Sequence, residues 1–234
     1  MVTPRERARE RTMAEIRELA WHQVEEQGAA ALSLRAIARG LGIVSSAIYR
    51  YVPSRDDLLT ALLVEGFTDL ADSVDAAEAQ VDRDDFRERW LTVGRAMRAW
   101  GLRRPAAWGL LYGGPVPGYN APQQMTSPPG ARVLLRHSAI IMEAMAAGRL
   151  HPRVGPAAAL TEMPQELAGL LEGLAAQYGV TTPAPVVAAG LLGWTSLLGV
   201  ISAELFEQFG PDAAPVIAAV AELQLQSIAD ATGF

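Results

Sequence analysis

Apolar residues recur at helical spacing along nearly the whole chain, and the breaks between runs fall at glycine, proline or a capping serine. Ile16, Leu19, Ala20 and Val24 form one apolar face with Trp21 beside it, which predicts a helix over 5–27 that Gly28 stops. Ser33 stands at an N-cap position ahead of LRAIARGL, where Leu34, Ile37, Ala38 and Leu41 face one way and Arg35 and Arg39 point elsewhere. Gly42 closes that short helix with a tight turn. In the following GIVSSAIYRYV, Ala47, Ile48, Tyr51 and Val52 are the inward candidates, and Pro53 ends the segment. Ser54-Arg55-Asp56-Asp57 reads as a capping box before a long helix over 58–79.

Downstream the same logic predicts helices over 84–104, 105–112, 131–147, 164–178, 185–209 and 212–231. The 84–104 helix carries Phe86, Trp90, Val93, Met97 and Trp100 on one side, and the next opens on Pro105 at its first turn. Residues 113–130 hold four glycines and five prolines, which predicts a loop throughout. The expected fold is all-α with about nine to ten helices. Residues 1–57 form a three-helix helix-turn-helix head; 58–234 form a helical body, 58–79 being the linking helix.

A helix as short as the one after Gly42 is marginal by itself, since isolated helices under ~12–15 residues do not persist in water. Packing must hold it: Ile37, Leu41, Ile48 and Val52 against Ile16, Leu19 and Leu58. Short helix, glycine turn, short helix and then a long helix at once is the spacing of a helix-turn-helix. In that motif the second helix presents its N-terminal half to a DNA groove.

Composition narrows the chemistry. The chain has no cysteine, and all twenty basic residues are arginine, so thiol catalysis, disulfides, phosphate-loop lysines and Schiff-base lysines are excluded. No G-x-S-x-G elbow or other nucleophile–base pattern points to an enzyme, and no cofactor is expected. The net charge of −6 hides a gradient: residues 1–57 carry nine arginines against eight acids, +1, and the remainder eleven against eighteen, −7. A relatively basic head on an acidic body still favours DNA at one face. Arg5, Arg7, Arg9 and Arg11 read either as a solvated face paired with Glu6 and Glu10 or as an arm for phosphates. The N-terminus shows no secretory signal. Residues 186–203 are long and apolar enough to raise a membrane reading, but mid-run Trp194, Thr195 and Ser196 and the lack of flanking basic residues favour a helix between a core and a partner subunit.

The stretch LSLRAIARGLGIVSSAIYRYVPSRDDLLTAL resembles the DNA-binding domain of TetR-family transcriptional regulators through Leu32, Ser33, Arg35, Ile37, Ala38, Leu41, Gly42, Ile43, Ile48, Tyr49, Tyr51, Val52, Arg55, Leu58 and Leu59. Trp194, Gly199 and Glu204 resemble the family's Trp-His-Gly type of C-terminal domain, with Leu198 at the histidine position. The resemblance implies a cytoplasmic homodimeric repressor on a palindromic double-stranded operator, released by a small effector; an activator reads the same in sequence. It assigns DNA contacts to Ser33, Arg35, Ser45, Ser46, Ala47, Tyr49, Tyr51 and Arg55. Arg35 matches a base-reading position, with a phosphate contact as its alternative. Tyr49 places its hydroxyl on a phosphate or lies in the core. Val44 stands where the family often caps the recognition helix with Ser or Thr, a role Ser45 takes if the cap shifts by one. Ala47 stands where a larger residue often meets a base.

For the body, Trp90, Met97, Trp100, Trp108, Tyr112, His137, Met142 and Met145 are the candidates to line an apolar or aromatic effector pocket, and ordinary core is the other reading of each. A lone histidine such as His137 is more often core than ligand, and His22, His137 and His151 are too far apart in sequence to suggest a metal site. The dimer is expected through 185–209 and 212–231, whose Ala188, Ala189, Gly193, Ser196, Gly199 and Ala203 permit close helix approach; 164–178 competes for one of those places.

Overall fold

The computed structural model describes residues 3–150 and 163–234; His151 lies outside them. Ten α-helices and no strand occur among the described residues. They are α1 (Pro4–Gln27), α2 (Leu34–Gly40), α3 (Ser45–Ile48), α4 (Arg55–Glu78), α5 (Phe86–Arg103), α6 (Pro105–Tyr112), α7 (Gln123–Ala146), α8 (Gln165–Gln177), α9 (Ala184–Leu205) and α10 (Ala214–Thr232).

The chain divides into two compact units, Met1–Asp69 with Arg103–Gly130, and Leu70–Leu102 with Ala131–Phe234. In the first, Ile16, Ala20, Val24, Leu34, Ile37, Ala38, Ile48, Val52 and Leu58 are all buried. Leu19 and Leu41 are half-buried; a Cβ on Gly40 would lie 3.2 Å from Leu19, so glycine there lets α2 approach α1 closely. The caps predicted at Ser33 and Ser54 form, and Thr3 adds one that was not predicted. Thr3 and Glu6 make a reciprocal capping box on α1, Ser33 Oγ accepts from the Ala36 amide, and Ser54 Oγ accepts from the Asp57 amide. Gly42 takes a positive φ of 67°.

Polar contacts bind α1 to the rest of this unit. The Trp21 indole donates to Glu65 at 3.0 Å, Arg17 pairs with the same carboxylate at 3.0 Å, and Arg104 lies over the Trp21 ring while pairing with Asp69. The Tyr119 hydroxyl meets Thr60 Oγ1 of α4 at 2.8 Å, which ties the 113–122 connection down.

Several expected boundaries move, each for a local reason. The long helix begins at Arg55 rather than 58, because the Ser54 cap makes Arg55-Asp56-Asp57 its first turn. The predicted 113–130 loop ends at Pro122: α7 starts at Gln123 and runs through Pro128 and Pro129. Each proline removes a helical amide. The Thr126 amide and hydroxyl both reach the Pro122 carbonyl, and Gly130 sits against the Phe67 ring, so capping and packing hold the turn that propensity disfavours. α9 stops at Leu205, four residues short of the expected 209, and Glu207 and Gly210 turn with positive φ.

The second unit is built around Trp90, Met97 and Trp100 of α5, all buried with Val74, Ile140, Ile141, Leu197, Ile201 and Leu225. A Cβ on Gly94 would stand 3.0 Å from Leu197 and Leu225, so this glycine sets how near α5 comes to α9 and α10. Arginines clamp the same contact: Arg95 forks onto Glu222, Arg98 onto Glu204, and Arg87 reaches Gln226 and Asp230. A guanidinium suits such two-point pairing where an ammonium does not.

The Arg95 hydrogen bond, with help from Gln226, draws the Glu222 carboxyl down to about 2 from its ordinary 4.5. A carboxyl lowered on folding stabilises the fold fully above the unfolded value and loses that contribution as pH falls toward 2. Glu222→Gln therefore flattens the acid limb between pH 4.5 and 2 and costs stability at pH 7, by about 1 kcal/mol or less for a half-exposed pair. Urea unfolding at pH 7 and pH 3 checks it: equal losses at both would mean the ion pair is not the cause.

Candidate nucleic-acid interface and ligand cavity

Recognition depends on what α3 shows to solvent. Ile48 is fully buried and anchors the helix, with Val52 just beyond it also buried. Ser45, Ser46 and Tyr49 are exposed on the other side, with Ala47 and Tyr51 half-buried between. Tyr49 is 47 % exposed, which excludes the buried-core reading of that residue. Val44 keeps the N-cap place without a side-chain bond and is 71 % exposed, so the cap does not shift to Ser45, the first residue in the helix. Small side chains at 45–47 leave the helix narrow enough for a major groove about 12 Å wide.

The neighbouring residues divide by how free their polar atoms are. Arg35 and Arg39 are exposed on α2. Ser33 accepts from Ala36 while its own amide donates to Gln23 of α1, which fixes the start of α2 against the first helix. Arg55 is more engaged than the sequence suggested. Its Nη2 donates to the carbonyls of Ala29 and Ala30 at 3.3 and 3.0 Å, and its Nη1 sits 3.4 Å from Asp56. It pins the turn after α1 to the start of α4. Tyr51 has a partner that sequence reasoning did not pair with it: the Arg9 guanidinium stands 5.6 Å over its ring. A cation over an aromatic face is held electrostatically, so Arg9 joins the surface that carries Tyr49 and Tyr51. The only sequence signal was the run of alternate arginines near the N-terminus.

A cavity of about 310 Å³ lies in the second unit, between α7, α8, α9 and the link that precedes α9. Leu134, Leu135, Ile141 and Met142 of α7, Leu174 and Tyr178 around the end of α8, and Val187, Leu191 and Trp194 of α9 supply its apolar walls. Of the eight residues nominated for a pocket, Met142 alone lines this cavity. Trp90, Met97, Trp100 and His137 are buried core of the second unit, and Met145 is 39 % exposed. Trp108 and Tyr112 lie against each other in the first unit with their rings tilted by 52°, and Tyr112 is also edge-on to Phe67. Most of the nominated bulky side chains went to fill cores, and about half of the cavity lining is leucine and valine, which composition does not mark.

His137 is fully buried between the Trp90 ring at 5.1 Å and the Trp194 ring at 6.2 Å, and neither imidazole nitrogen has a hydrogen-bond partner among the described residues. Burial lowers its pKa to about 3, so it is a neutral aromatic at physiological pH.

Beyond the cavity, the last three helices expose apolar side chains. α8 has no buried residue and shows Leu167 and Leu170; Leu192 of α9 and Val216 and Leu223 of α10 are exposed as well. α9 is long and apolar enough to cross a membrane by length and composition alone.

A helix-turn-helix with its small-residue face free marks the chain as a DNA-binding regulator. The comparisons agree. Residues 16–62 match the family described as bacterial regulatory proteins, tetR family, and residues 90–228 match the tetracyclin repressor-like C-terminal domain. The HTH-type transcriptional regulator Rv1816 of Mycobacterium tuberculosis is 42 % identical over 213 residues, covering 90 % of this chain and 88 % of that one. The crystal structure of regulatory protein SCO4313 superposes with a TM-score of 0.71 at 34 % identity, over 97 % of this chain and 98 % of that one. A tetR family regulator from Shewanella sp. PV-4 shares the fold at 17 % identity and a TM-score of 0.58, over 92 % and 96 % of the two chains. The chain belongs to the TetR family of transcriptional regulators, and is not an enzyme.

Proposed function

We propose that this regulator is a cytoplasmic homodimeric repressor that binds a palindromic operator through two copies of α3 and leaves it when a small apolar or aromatic molecule fills the α7–α9 cavity. The observation that carries the DNA-binding reading is the exposed set Arg35, Ser45, Ser46 and Tyr49 on a head whose core is complete without them. The operator contacts are those residues with Ser33, Ala47, Tyr51 and Arg55, to which Arg9 is added by its place over Tyr51. Ser33 caps α2 as acceptor, which leaves its hydroxyl proton for a phosphate. Arg55 contacts DNA only at the edge, because two backbone carbonyls already hold it.

The dimer forms through α9 and α10, with α8 alongside. Support comes from exposed Leu192, Val216 and Leu223, and from an α9 that is uncharged up to Glu204. A second copy covering that surface accounts for the apolar helix without a membrane. The Trp-His-Gly reading of the C-terminal domain rests on Trp194, Gly199 and Glu204; the imidazole beside Trp194 is that of His137, while Leu198 holds the motif's own histidine position.

A mobility-shift titration against the DNA upstream of the protein's own gene, at two salt concentrations, tests the central claim. Specific binding that weakens with salt is expected, since each neutralised phosphate releases counterions. Absence of both would refute it. Arg35→Ala relaxes sequence preference by ~1–3 kcal/mol of lost discrimination. Tyr49→Phe weakens binding to all sequences about equally. The opposite pattern would reverse the two roles.

A further inference from the structure

We infer that the α7–α9 cavity selects an uncharged ligand, small and largely hydrocarbon, carrying one hydrogen-bonding group that meets the Thr182 hydroxyl. This rests on the reading of the cavity as the effector site. It goes further by naming the chemistry of the occupant.

Three observations lead there. First, among the described residues no carboxylate, imidazole or guanidinium lines the cavity: its polar side-chain groups are the hydroxyls of Ser138, Tyr178 and Thr182 and the Trp194 indole. An ion entering such a site gives up its hydration and gains no counter-charge from these walls, a cost that apolar contact does not return. Second, Thr182 Oγ1 is buried and has no hydrogen-bond partner among the described residues. A buried hydroxyl left unpaired is costly, and a ligand group that pairs with it recovers that cost. Sites with such a group discriminate sharply against analogues that lack the matching atom. Third, the space is small and is kept open by a glycine. At about 310 Å³ it sits at the low end of the ~300–1,000 Å³ usual for small-molecule pockets. A Cβ on Gly190 would point at Ile141 Cδ1 and Ser138 Oγ, each 3.9 Å away, so any larger side chain there grows into the cavity.

The recognition follows from these parts. The hydrocarbon portion displaces water from the leucine and valine walls and lies against Trp194. A hydroxyl or carbonyl oxygen at one end exchanges a hydrogen bond with Thr182 Oγ1. No proton transfer or covalent step is involved.

The test uses two matched probe sets on the full-length protein: 4-ethylphenol, ethylbenzene and 4-ethylbenzoate, and cyclohexylmethanol, methylcyclohexane and cyclohexanecarboxylate. Binding is read by tryptophan fluorescence and by calorimetry at pH 7. The two hydroxylated probes are expected to bind at least a hundredfold more tightly than the carboxylates of the same skeleton. Thr182→Val is expected to weaken the hydroxylated probes about tenfold, to leave the hydrocarbons within twofold and not to lower the melting temperature. Gly190→Leu is expected to abolish binding of all six, while Gly190→Ala folds and retains it. Carboxylates binding as tightly as the alcohols would overturn the inference. So would undiminished alcohol binding by Thr182→Val, or saturation by none of the probes. Operator release is measured separately by mobility shift. If the probes bind in the expected order and DNA affinity does not change, the ligand class stands and the effector role fails.

Discussion

Replacing Arg89 by methionine is expected to lower the unfolding free energy by about 3–5 kcal/mol, the usual cost of leaving a buried charge without its partner. Arg89 is fully buried, and Glu78, its partner at 2.6 Å, is 3 % exposed. Nη1 reaches Glu143 at 2.7 Å and the Arg83 carbonyl at 3.0 Å, while Arg83 adds a second contact to Glu78 at 3.0 Å. Burial works against the Arg89 charge, and the two carboxylates more than offset it, holding the guanidinium above its ordinary range. Arg83 does not substitute for Arg89, because its side chain is 60 % exposed and its charge largely solvated. The double change Arg89→Met with Glu78→Leu is expected to recover most of the loss, since an apolar pair of similar volume often matches a buried ion pair. Urea unfolding of the two variants decides the matter. A single variant within 1 kcal/mol of the parent would mean that Glu78 finds water or another cation when Arg89 is gone.

Ala47→Glu is expected to abolish operator binding, a loss of several kcal/mol or at least a hundredfold, with no change in melting temperature. Residue 47 lies between exposed Ser46 and buried Ile48 on a helix only four residues long, and is itself half-buried. A carboxylate there faces phosphate charge from both strands if α3 enters the groove. The loss should apply to specific and non-specific DNA alike, and far-ultraviolet circular dichroism should match the parent. A variant that keeps parental affinity would place α3 outside the groove. Ala47→Ser is the control: it keeps size and neutrality and should remain within a few-fold of the parent.

The helices, caps and core of the helix-turn-helix head were legible in the sequence. α2 and α3 are short, and the ends of the elements here are written in local chemistry, in the Ser33 and Ser54 caps and the Gly42 turn. The inward positions were legible as well, since Ile16, Ala20 and Val24 on α1 and Leu34, Ile37 and Ala38 on α2 repeat at helical spacing and are buried. What escaped was pairing between distant segments. Nothing local says that Arg55 will hold the carbonyls of Ala29 and Ala30, or that Arg9 will lie over Tyr51. The cavity was least legible. Sequence points to large or polarisable side chains as pocket formers, but burial rewards those same groups most in a close-packed core. Many of the residues left to line the void are ordinary leucines and valines, at positions that three helices and the link before α9 happen to share.

The sequence by itself determined an all-helical chain with a helix-turn-helix head and no catalytic constellation, because caps, breakers and apolar period act over three or four residues. Only the tertiary structure decided that α7 runs through Pro128 and Pro129, that His137 is a neutral core ring, and that Thr182 lines a cavity with an unpaired hydroxyl among the described residues. Those outcomes depend on which segments meet across the fold, and that information is held by the packed whole rather than by any stretch of it.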